Sequence, residues 1–561
     1  PASSPTRRRE AHDLPRLRVR RPRPATVARV VAAAASGALL AISRPPLDLG
    51  PLACVALVPL FVAWRGRSWL GAAALAFVAG VVYYGTLCVW IWYFGAIALL
   101  PFSAAVALYW AAAGALVGWL RAHRVANPWA TAAVWVCADA LVSRWPFGGF
   151  SWGEVGYSFH DLAPARSVAS VGGVTLLTFL AVALNAFLAD LVTERRTPAN
   201  VLRAQAGIAL IAVVVVAATV TRAQPPVVGA LHVALVQGND QNRDLSDAEL
   251  RADFLPIHHF DLARQITDPV DLIVFPESSM NALTATDATA DLRTDPFIRS
   301  NLVRIARLHH AWVLANATVD APPDGHKASN LDVLFDPTGR VAGTYSKRHL
   351  VPFGESVPFR ESLQHLVKAL EQVPRDFQPG HTPGLFTVAG VRIGTLICFE
   401  SAFGYQVRPL VRDGAHVIVV STNNRSYRRS ANSEQHVAIS QMRAAETGRP
   451  VVQAAISGIT AVIDAEGVVH ERTSLFRPGV VQTTVEATGG ETPYVRYGEW
   501  ATWMSLAMAG LAVALGVVRT RRRTSLDSEP EPEPEDTSVE SKIGGSEVAP
   551  TADERESTTS P

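Results

Sequence analysis

Apolar and polar positions are distributed unevenly along the chain. Residues 26–221 form a succession of long apolar segments, residues 229–490 alternate short apolar runs with polar stretches, and residues 500–518 are apolar again. A helix that crosses a bilayer needs about 20 mainly apolar residues, because lipid cannot satisfy the hydrogen-bonding groups of the backbone. The pattern predicts a polytopic α-helical membrane domain, then a large hydrophilic domain, then one more membrane helix.

Eight segments are candidates for membrane spans, and the second and fifth of them are short. They lie near residues 26–43, 50–64, 70–94, 98–120, 127–143, 168–192, 205–221 and 500–518. We therefore expect a transmembrane domain of about seven helices at 26–225, a hydrophilic domain at 229–490 and an eighth transmembrane helix at 498–518.

The arginines predict the orientation of these spans, since cytoplasmic loops of membrane proteins carry an excess of Lys and Arg. The amino-terminal arm at 1–25 is strongly basic, and RTRRR follows the last span. The connections after the second, fourth and sixth spans are also basic, with Arg65 and Arg67, Arg121 and Arg124, and Arg195 and Arg196. Both termini are predicted to be cytoplasmic, and the hydrophilic domain is predicted to lie on the outer face of the cell membrane.

Composition supports a membrane protein with more than one domain. The chain has 561 residues, 49% of them hydrophobic, and a net charge of only +2. The basic arm adjoins an apolar span, where its charge has a topological use, so we do not expect nucleic-acid binding. The tail at 519–561 is acidic and has scarcely an aromatic or branched apolar residue, which predicts a disordered cytoplasmic extension.

Short runs rich in Val and Ile alternate with helical patterns in the hydrophilic domain. Helical patterns lie at 247–266 and 433–449, and the turn signals DPTGR and DAEG mark hairpins. Runs typical of strands buried on both faces are HVALVQ (232–237), DLIVFPE (271–277), AWVLANATV (311–319), VRIGTLICFE (391–400) and HVIVVST (416–422). The sequence predicts a layered α/β domain in which helices cover the sheets.

Three polar residues fall where predicted strands run out into loops. Glu277 ends DLIVFPE, Lys347 ends VAGTYSK and Cys398 ends TLIC. Taken singly, the cysteine is typical of a buried small hydrophobe, the glutamate of a helix cap and the lysine of a solvated charge. Together they suit acyl transfer, in which a base takes the thiol proton, the thiolate attacks a carbonyl and a cation stabilises the oxyanion.

Four segments resemble the apolipoprotein N-acyltransferases, whose outer domain belongs to the nitrilase, or carbon-nitrogen hydrolase, superfamily. They are FPES, YSKRHLVPFGESVPFR, LICFES, and STNN followed by EQHVAISQMRAAETGRP, in this order. The resemblance covers about residues 26–518 and includes the arrangement of seven spans before the domain and one after it. It implies that the hydrophilic domain is a nitrilase-like α-β-β-α sandwich.

The resemblance also implies roles for particular residues. Glu277 would be the general base, Lys347 would stabilise the tetrahedral intermediate, and Cys398 would carry the acyl group as a thioester. Glu355 and Glu400 match two further acidic positions that support this triad. The implied reaction moves the sn-1 fatty acid of a membrane phospholipid to Cys398 and then to the α-amino group of the S-diacylglyceryl cysteine that begins an apolipoprotein.

One segment departs from the family pattern. Where many members read Asn-Asp-Ala-Trp-Phe-Gly, this chain reads NNRSYR and continues with a further arginine. Asn423 is kept, whereas Asn424, Ser426 and Arg428 differ. Since the segment follows a strand, we expect Asn423, Asn424 and Ser426, together with Phe399, to shape a substrate pocket, and we expect the change to affect substrate preference.

Two other functions use the same residues. A membrane-tethered amidase would pass the acyl group to water, and a non-catalytic homologue would only bind lipid or lipoprotein. Seven spans are an excessive anchor for an enzyme with a soluble substrate, which disfavours the amidase. No phosphate-binding glycine loop is present, and the adjacent histidine pairs lack a set of carboxylates, so we expect neither a cofactor nor a metal ion.

Overall fold

The computed structural model describes residues 24–193, 197–239, 254–280, 292–321, 326–363, 370, 373 and 375–527. The predicted basic arm before residue 24, the arginines at 195 and 196, the helical pattern at 247–253 and the tail after 527 lie outside the described residues. The chain forms one compact unit that ends at Gly516 and a second unit from Val517 onward.

Apolar helices form the amino-terminal part of the chain. They are α1 (Pro24–Ile42), α2 (Val58–Ala63), α3 (Trp69–Leu87), α4 (Ala96–Ala122), α5 (Pro128–Val142), α6 (Ala163–Thr193) and α7 (Pro198–Thr221). Within the described ranges, six helices are long and apolar enough to cross a membrane, namely α1, α3, α4, α6, α7 and the final helix, which begins at Trp500. The shorter apolar segments Gly50–Ala63 and Pro128–Val142 coincide with the second and fifth predicted spans.

A kink interrupts α6. Gly172 and Gly173 have non-helical backbone angles, and a Cβ atom at Gly173 (φ 74°) would lie 2.8 Å from the ring of Tyr494. The helix resumes at Val174, whose N–H donates to Oε1 of Glu446 at 2.7 Å. Since N–H groups at the start of a helix lack partners within it, a carboxylate there stabilises the helix. A residue of the hydrophilic domain therefore caps an apolar helix.

The hydrophilic domain contains two six-stranded sheets, with strand orders β12-β1-β2-β3-β4-β5 and β11-β10-β9-β8-β7-β6. The strands are β1 (Val227–Gln237), β2 (Leu272–Val274), β3 (Trp312–Asp320), β4 (Ala328–Phe335), β5 (Val341–Ser346), β6 (Gly384–Val388), β7 (Val391–Ile397), β8 (Val417–Thr422), β9 (Val451–Ala455), β10 (Ala461–Ile463), β11 (Val469–Arg472) and β12 (Gly479–Thr488). The helices that follow α7 are α8 (Phe254–Ala263), α9 (Pro296–His309), α10 (Arg360–Leu363), α11 (Gly404–Arg412), α12 (Asn432–Thr447) and α13 (Pro493–Tyr497), and then the final apolar helix α14 (Trp500–Asp527).

The apolar core of this domain has three layers. Side chains of both sheets, such as Val274 and Val419, share one buried cluster between the sheets. Phe260 of α8 belongs to a cluster on the other face of the first sheet, and Leu410 of α11 belongs to one on the other face of the second. The predicted α-β-β-α sandwich is confirmed, and the predicted DPTGR and DAEG hairpins connect antiparallel strand pairs.

A buried glutamine joins the hydrophilic domain to three loops of the helical part. Oε1 of Gln435, in α12, accepts hydrogen bonds from the indole N–H groups of Trp90 (3.2 Å) and Trp152 (2.8 Å). Its Nε2 donates to the carbonyl oxygens of Pro45 and Leu87. All the hydrogen-bonding capacity of this amide is used at the junction, so α12 is held in a fixed position over the loops.

Candidate active site

The three candidate catalytic side chains follow strands of both sheets. Glu277 comes three residues after the end of β2, Lys347 directly follows β5, and Cys398 directly follows β7. Cys398 has a φ of 54°, in the left-handed region that non-glycine residues rarely adopt. Such a conformation costs on the order of 1–3 kcal/mol and persists where the surrounding structure enforces it, as at many active sites.

Lys347 lies between two carboxylates. Its Nζ donates to Oε1 of Glu277 at 3.1 Å and to Oε1 of Glu355 at 2.8 Å, and its side chain is only 1% exposed. Burial alone would lower the pKa of Lys347, but the charges of Glu277 and Glu355 outweigh it and raise the pKa well above its ordinary value. The lysine therefore stays cationic at neutral pH, as an oxyanion-stabilising group requires.

Asn330, in β4, completes this charged cluster, and no pattern in the sequence indicated it. Its Nδ2 donates to Glu277 (2.7 Å) and to Glu355 (3.2 Å), while its Oδ1 accepts from Asn316. Asn316 in turn donates to the buried carboxylate of Asp332. Burial raises the pKa of Asp332 to about 7. A polar network inside the sandwich thus fixes the direction of the Glu277 carboxylate.

The thiol of Cys398 is held by a threonine of the neighbouring strand. Oγ1 of Thr422, the last residue of β8, donates to Sγ at 3.2 Å. Burial raises the pKa of Cys398 to about 12, and the charge of Glu277 adds to this effect while Lys347 opposes it. The resting group is a neutral thiol, so attack on a carbonyl requires a base to remove its proton.

Glu277 is oriented from two sides. Its Oε1 accepts from Lys347 and Asn330, and its Oε2 accepts from the backbone N–H of Asn423 at 2.8 Å. Asn423 directly follows Thr422, the residue that contacts the thiol. The carboxylate and the thiol are therefore bound to consecutive residues at the end of β8.

Glu400 is fully buried and accepts four hydrogen bonds. Oε1 accepts from the backbone N–H groups of Arg348 (2.8 Å) and His349 (3.0 Å), which follow Lys347. Oε2 accepts from the hydroxyl of Tyr345 (2.7 Å) and from the backbone N–H of Ile397 (2.8 Å), which precedes Cys398. One carboxylate thus connects the loop that carries the lysine to the loop that carries the cysteine.

We expect Glu400→Gln to lower kcat and stability together. An amide has one acceptor oxygen, so two of the four donors would face its NH₂ group and lose their partner. Each unsatisfied buried donor costs about 1–3 kcal/mol, which predicts a loss of roughly 2–6 kcal/mol of unfolding free energy. Thermal unfolding and acyl-transfer kinetics of the purified protein measure both effects. Glu434→Gln, at a half-exposed glutamate paired with Arg472, is the matched control and should change neither.

The residues predicted to shape a pocket have different surroundings. Asn424 is buried, and its Nδ2 donates to Asn432 of α12 at 2.8 Å. Ser426 is exposed. The ring of Phe399 lies 6.2 Å from that of Trp152 and 6.1 Å from that of Phe150, measured between centroids. The residue next to the cysteine thus packs against the loop that follows α5.

His349 packs between the loop that follows α5 and two aromatic residues that follow Cys398. Its ring centroid lies 3.9 Å from that of Phe403, and its Nδ1 lies 3.3 Å from the hydroxyl oxygen of Tyr405. A Cβ atom at Gly148 would approach the imidazole to 2.8 Å, and Gly148 has a φ of 92°. Only glycine suits this backbone angle and this close approach. The loop after α5 therefore contacts the segment that follows Lys347 directly.

The segment 423–429, which departs from the family pattern, lies against the connection between α3 and α4. The ring of Tyr427 has centroid distances of 4.7 Å to Trp90 and 6.1 Å to Phe94. Burial raises the pKa of Tyr427, and a thiolate at Cys398 would raise it further. Tyr427 therefore lies between the candidate site and the helical part of the chain. It was not among the predicted pocket residues, although it belongs to the segment that the sequence singled out.

One group in the described ranges has the composition of a metal site. Ligand atoms of Asp48, His160 and Asp161 lie within 4.8 Å of one another. The imidazole is already engaged, because Nε2 lies 3.0 Å from Asp48 Oδ1 and Nδ1 lies 2.8 Å from Gln441 Oε1. These contacts fasten the loop before α6 to α12, at a place separate from the candidate site.

The fold and the site together define a class. A two-sheet α/β sandwich with Glu, Lys and Cys at strand ends, joined to a bundle of apolar helices, is a membrane-bound member of the carbon-nitrogen hydrolase superfamily. Residues 216–494 match the family described as Carbon-nitrogen hydrolase, and residues 36–187 match the Apolipoprotein N-acyltransferase N-terminal domain. The chain belongs to the apolipoprotein N-acyltransferase family, so the resemblance read from the sequence is confirmed.

Relatives cover nearly the whole chain. The apolipoprotein N-acyltransferase of Geobacter metallireducens is 30% identical over 502 residues, which are 86% of this chain and 94% of the relative. The apolipoprotein N-acyltransferase of Gloeobacter violaceus is 31% identical over 540 residues, which are 91% of this chain and 98% of the relative. The solved structure of an amidase from Nesterenkonia sp. AN1 is 17% identical and covers 49% of this chain and 99% of its own, with a TM-score of 0.36. Family membership identifies the chain as a multi-pass membrane acyltransferase.

Proposed function

We propose that this enzyme transfers a fatty acyl chain from a membrane phospholipid to the α-amino group of the S-diacylglyceryl cysteine at the start of an apolipoprotein. Cys398 carries the chain between donor and acceptor as a thioester. The observation that carries this assignment is the buried Lys347 between Glu277 and Glu355, beside a thiol that is held by the end of the adjacent strand.

The first half-reaction removes the acyl chain from the donor. Glu277 takes the proton of the Cys398 thiol as sulfur attacks the carbonyl carbon of the sn-1 ester. The ammonium of Lys347 stabilises the negative oxygen of the tetrahedral intermediate. The carbon–oxygen bond to glycerol then breaks, and the proton held by Glu277 passes to the leaving oxygen. The products are a lysophospholipid and an acylated Cys398.

The second half-reaction forms the amide. The neutral amine of the acceptor attacks the thioester carbonyl, and Glu277 accepts a proton from the attacking nitrogen. The carbon–sulfur bond breaks and the thiolate regains a proton from Glu277, which restores the resting site. A thioester suits this exchange because it keeps the acyl group activated while one lipid substrate leaves and the other binds.

The supporting residues have distinct roles in this proposal. Glu355 and Asn330 hold Lys347 and Glu277 in their working positions. Glu400 joins the loop that carries Lys347 to the loop that carries Cys398. Phe399, together with Asn423, Asn424 and Ser426, lies toward the substrates. Both substrates are lipids, so a site joined to membrane helices lets them arrive laterally from the bilayer.

We further propose the domain division and the topology read from the sequence. The helical domain at 26–225 and the helix at 498–518 lie in the cytoplasmic membrane, the catalytic domain at 229–490 lies on its outer face, and both termini are cytoplasmic. Treatment of intact spheroplasts with a membrane-impermeant protease tests the orientation. Digestion of a tag fused after residue 561, with the catalytic domain intact, would contradict it.

Mass spectrometry of the purified enzyme tests the function. Incubation with a phospholipid should add one acyl chain to Cys398 and release a lysophospholipid. A diacylated lipopeptide should then remove the adduct and become triacylated. Discharge of the adduct to water alone would identify an amidase, and absence of any adduct would identify a protein that only binds lipid or lipoprotein.

A further inference from the structure

The segment that departs from the family pattern is strongly basic. Residues 425–429 read Arg-Ser-Tyr-Arg-Arg and begin two residues after Asn423, which binds Glu277, and three after Thr422, which binds Cys398. The side chains of Arg428 and Arg429 are exposed. The chain therefore places positive charge at the edge of its catalytic site.

Arg428 lies at the level of a membrane surface. Its guanidinium carbon is 5.2 Å from the ring centroid of Tyr93, in the short helix Val89–Phe94 that connects α3 to α4. Because α3 and α4 are both long and apolar enough to cross a membrane, this connection marks one edge of the bilayer. Trp92 and Tyr93 are 56% and 44% exposed, as is typical of the aromatic residues that sit among lipid headgroups.

The two guanidinium groups lie over aromatic rings and have no carboxylate partner among the described residues. Arg429 lies 5.3 Å from the ring centroid of Phe476. In the part of the chain that the structure describes, no carboxylate pairs with either arginine. A guanidinium stacked on an aromatic face keeps its N–H groups, which lie in its own plane, available to a phosphate.

We propose that Arg428 and Arg429 bind the headgroup of the acyl-donor phospholipid and make the enzyme prefer donors whose headgroup carries a net negative charge. Phosphatidylglycerol is a donor of this kind, whereas the ammonium group of phosphatidylethanolamine neutralises its own phosphate. The inference rests on the proposed function, because it assigns the donor of the same catalytic site.

The position of the arginines favours the lipid donor over the peptide acceptor. Arg428 stacks on a membrane-surface aromatic residue, and the neighbouring Tyr427 packs on Trp90 and Phe94 of the same connection. A headgroup lies at this level whenever its acyl chains are in the bilayer. Each arginine near a membrane surface adds about fivefold to the affinity for an anionic lipid.

The test compares two donors in the full-length enzyme. Thioester formation at Cys398 is measured with phosphatidylglycerol and with phosphatidylethanolamine, each at the same mole fraction in an uncharged detergent. We expect the wild-type enzyme to react faster with phosphatidylglycerol. The double variant Arg428→Gln/Arg429→Gln should reduce the ratio of the two rates by about 25-fold. The double lysine variant, which keeps the charges, should retain most of the preference.

Arg340→Gln is the matched control, since it removes an exposed arginine in the hairpin between β4 and β5 and should leave the ratio unchanged. An equal fall in both rates, or an unchanged ratio, in the glutamine variant would overturn the inference. Slower discharge to a diacylated lipopeptide with normal thioester formation would assign the arginines to the acceptor instead.

Binding gives an independent measure. Phosphatidylglycerol should bind more tightly than phosphatidylethanolamine to the Cys398→Ala variant, which cannot react, and the two glutamine substitutions should remove this difference. Equal binding of the two lipids contradicts the headgroup inference whatever the catalytic result. Selective binding together with a wild-type enzyme that forms no adduct contradicts only the proposed acyl transfer.

Discussion

Cys398→Ala is expected to abolish acyl transfer. Without the thiol there is no group to carry the acyl chain, and loss of a covalent nucleophile lowers turnover by about a thousandfold or more. Neither lysophospholipid nor triacylated lipopeptide should form, and mass spectrometry should find no acyl adduct on the protein. In a strain with no second such enzyme, diacylated lipoproteins should accumulate.

Cys54→Ala is the matched control, because Cys54 lies near α2 in the helical part, away from the strand ends of the hydrophilic domain. It should acylate lipopeptide at the wild-type rate. Triacylation at a normal rate by Cys398→Ala would show that another residue carries the chain. Unfolding midpoints of both variants separate chemical loss from misfolding.

Glu277→Gln is expected to slow thioester formation by a factor of about 10²–10⁴, the usual contribution of a positioned general base. The thiol then has no acceptor for its proton. Higher pH should restore the rate only in part, because burial is the largest cause of the raised pKa of Cys398 and persists in the variant. The thiol stays mostly protonated, while its small ionised fraction rises about tenfold per pH unit.

Single-turnover measurement of the acylated enzyme at pH 7 and pH 9 checks this prediction. A variant that already reacts at the wild-type rate at pH 7 would mean that a group other than Glu277 accepts the thiol proton. Glu434→Gln serves again as the control for the change of charge. The rate of this control variant should match that of the wild-type enzyme at both pH values.

Much of the fold could be predicted because its signals are local. The Val- and Ile-rich runs at 232–237 and 416–422 belong to β1 and β8, since a strand buried on both faces needs continuous apolar residues. The six long helices followed from hydrophobic length alone. The short segments at 50–64 and 127–143 were the least certain spans, and the corresponding helices in the structure are shorter than the other apolar ones.

Only part of the candidate site could be predicted from the sequence. Glu277, Lys347 and Cys398 stand at strand ends, a position that a linear pattern can mark. Asn330 lies inside β4 and acts on Glu277 through a contact 53 residues away in sequence, so nothing local distinguished it. Thr422 looks like the final residue of an ordinary strand, and its contact with Cys398 exists only because β7 and β8 pair in parallel.

The cap on α6 has a consequence for how the protein is made. Glu446 stands 272 residues after Val174, so the ribosome finishes the apolar helix long before it supplies the carboxylate that the resumed helix needs. Until the later segment has been made and folded, the N–H group of Val174 has no such partner. Completion of the helical bundle therefore waits for the hydrophilic domain, and a chain truncated before α12 should leave α6 incompletely formed.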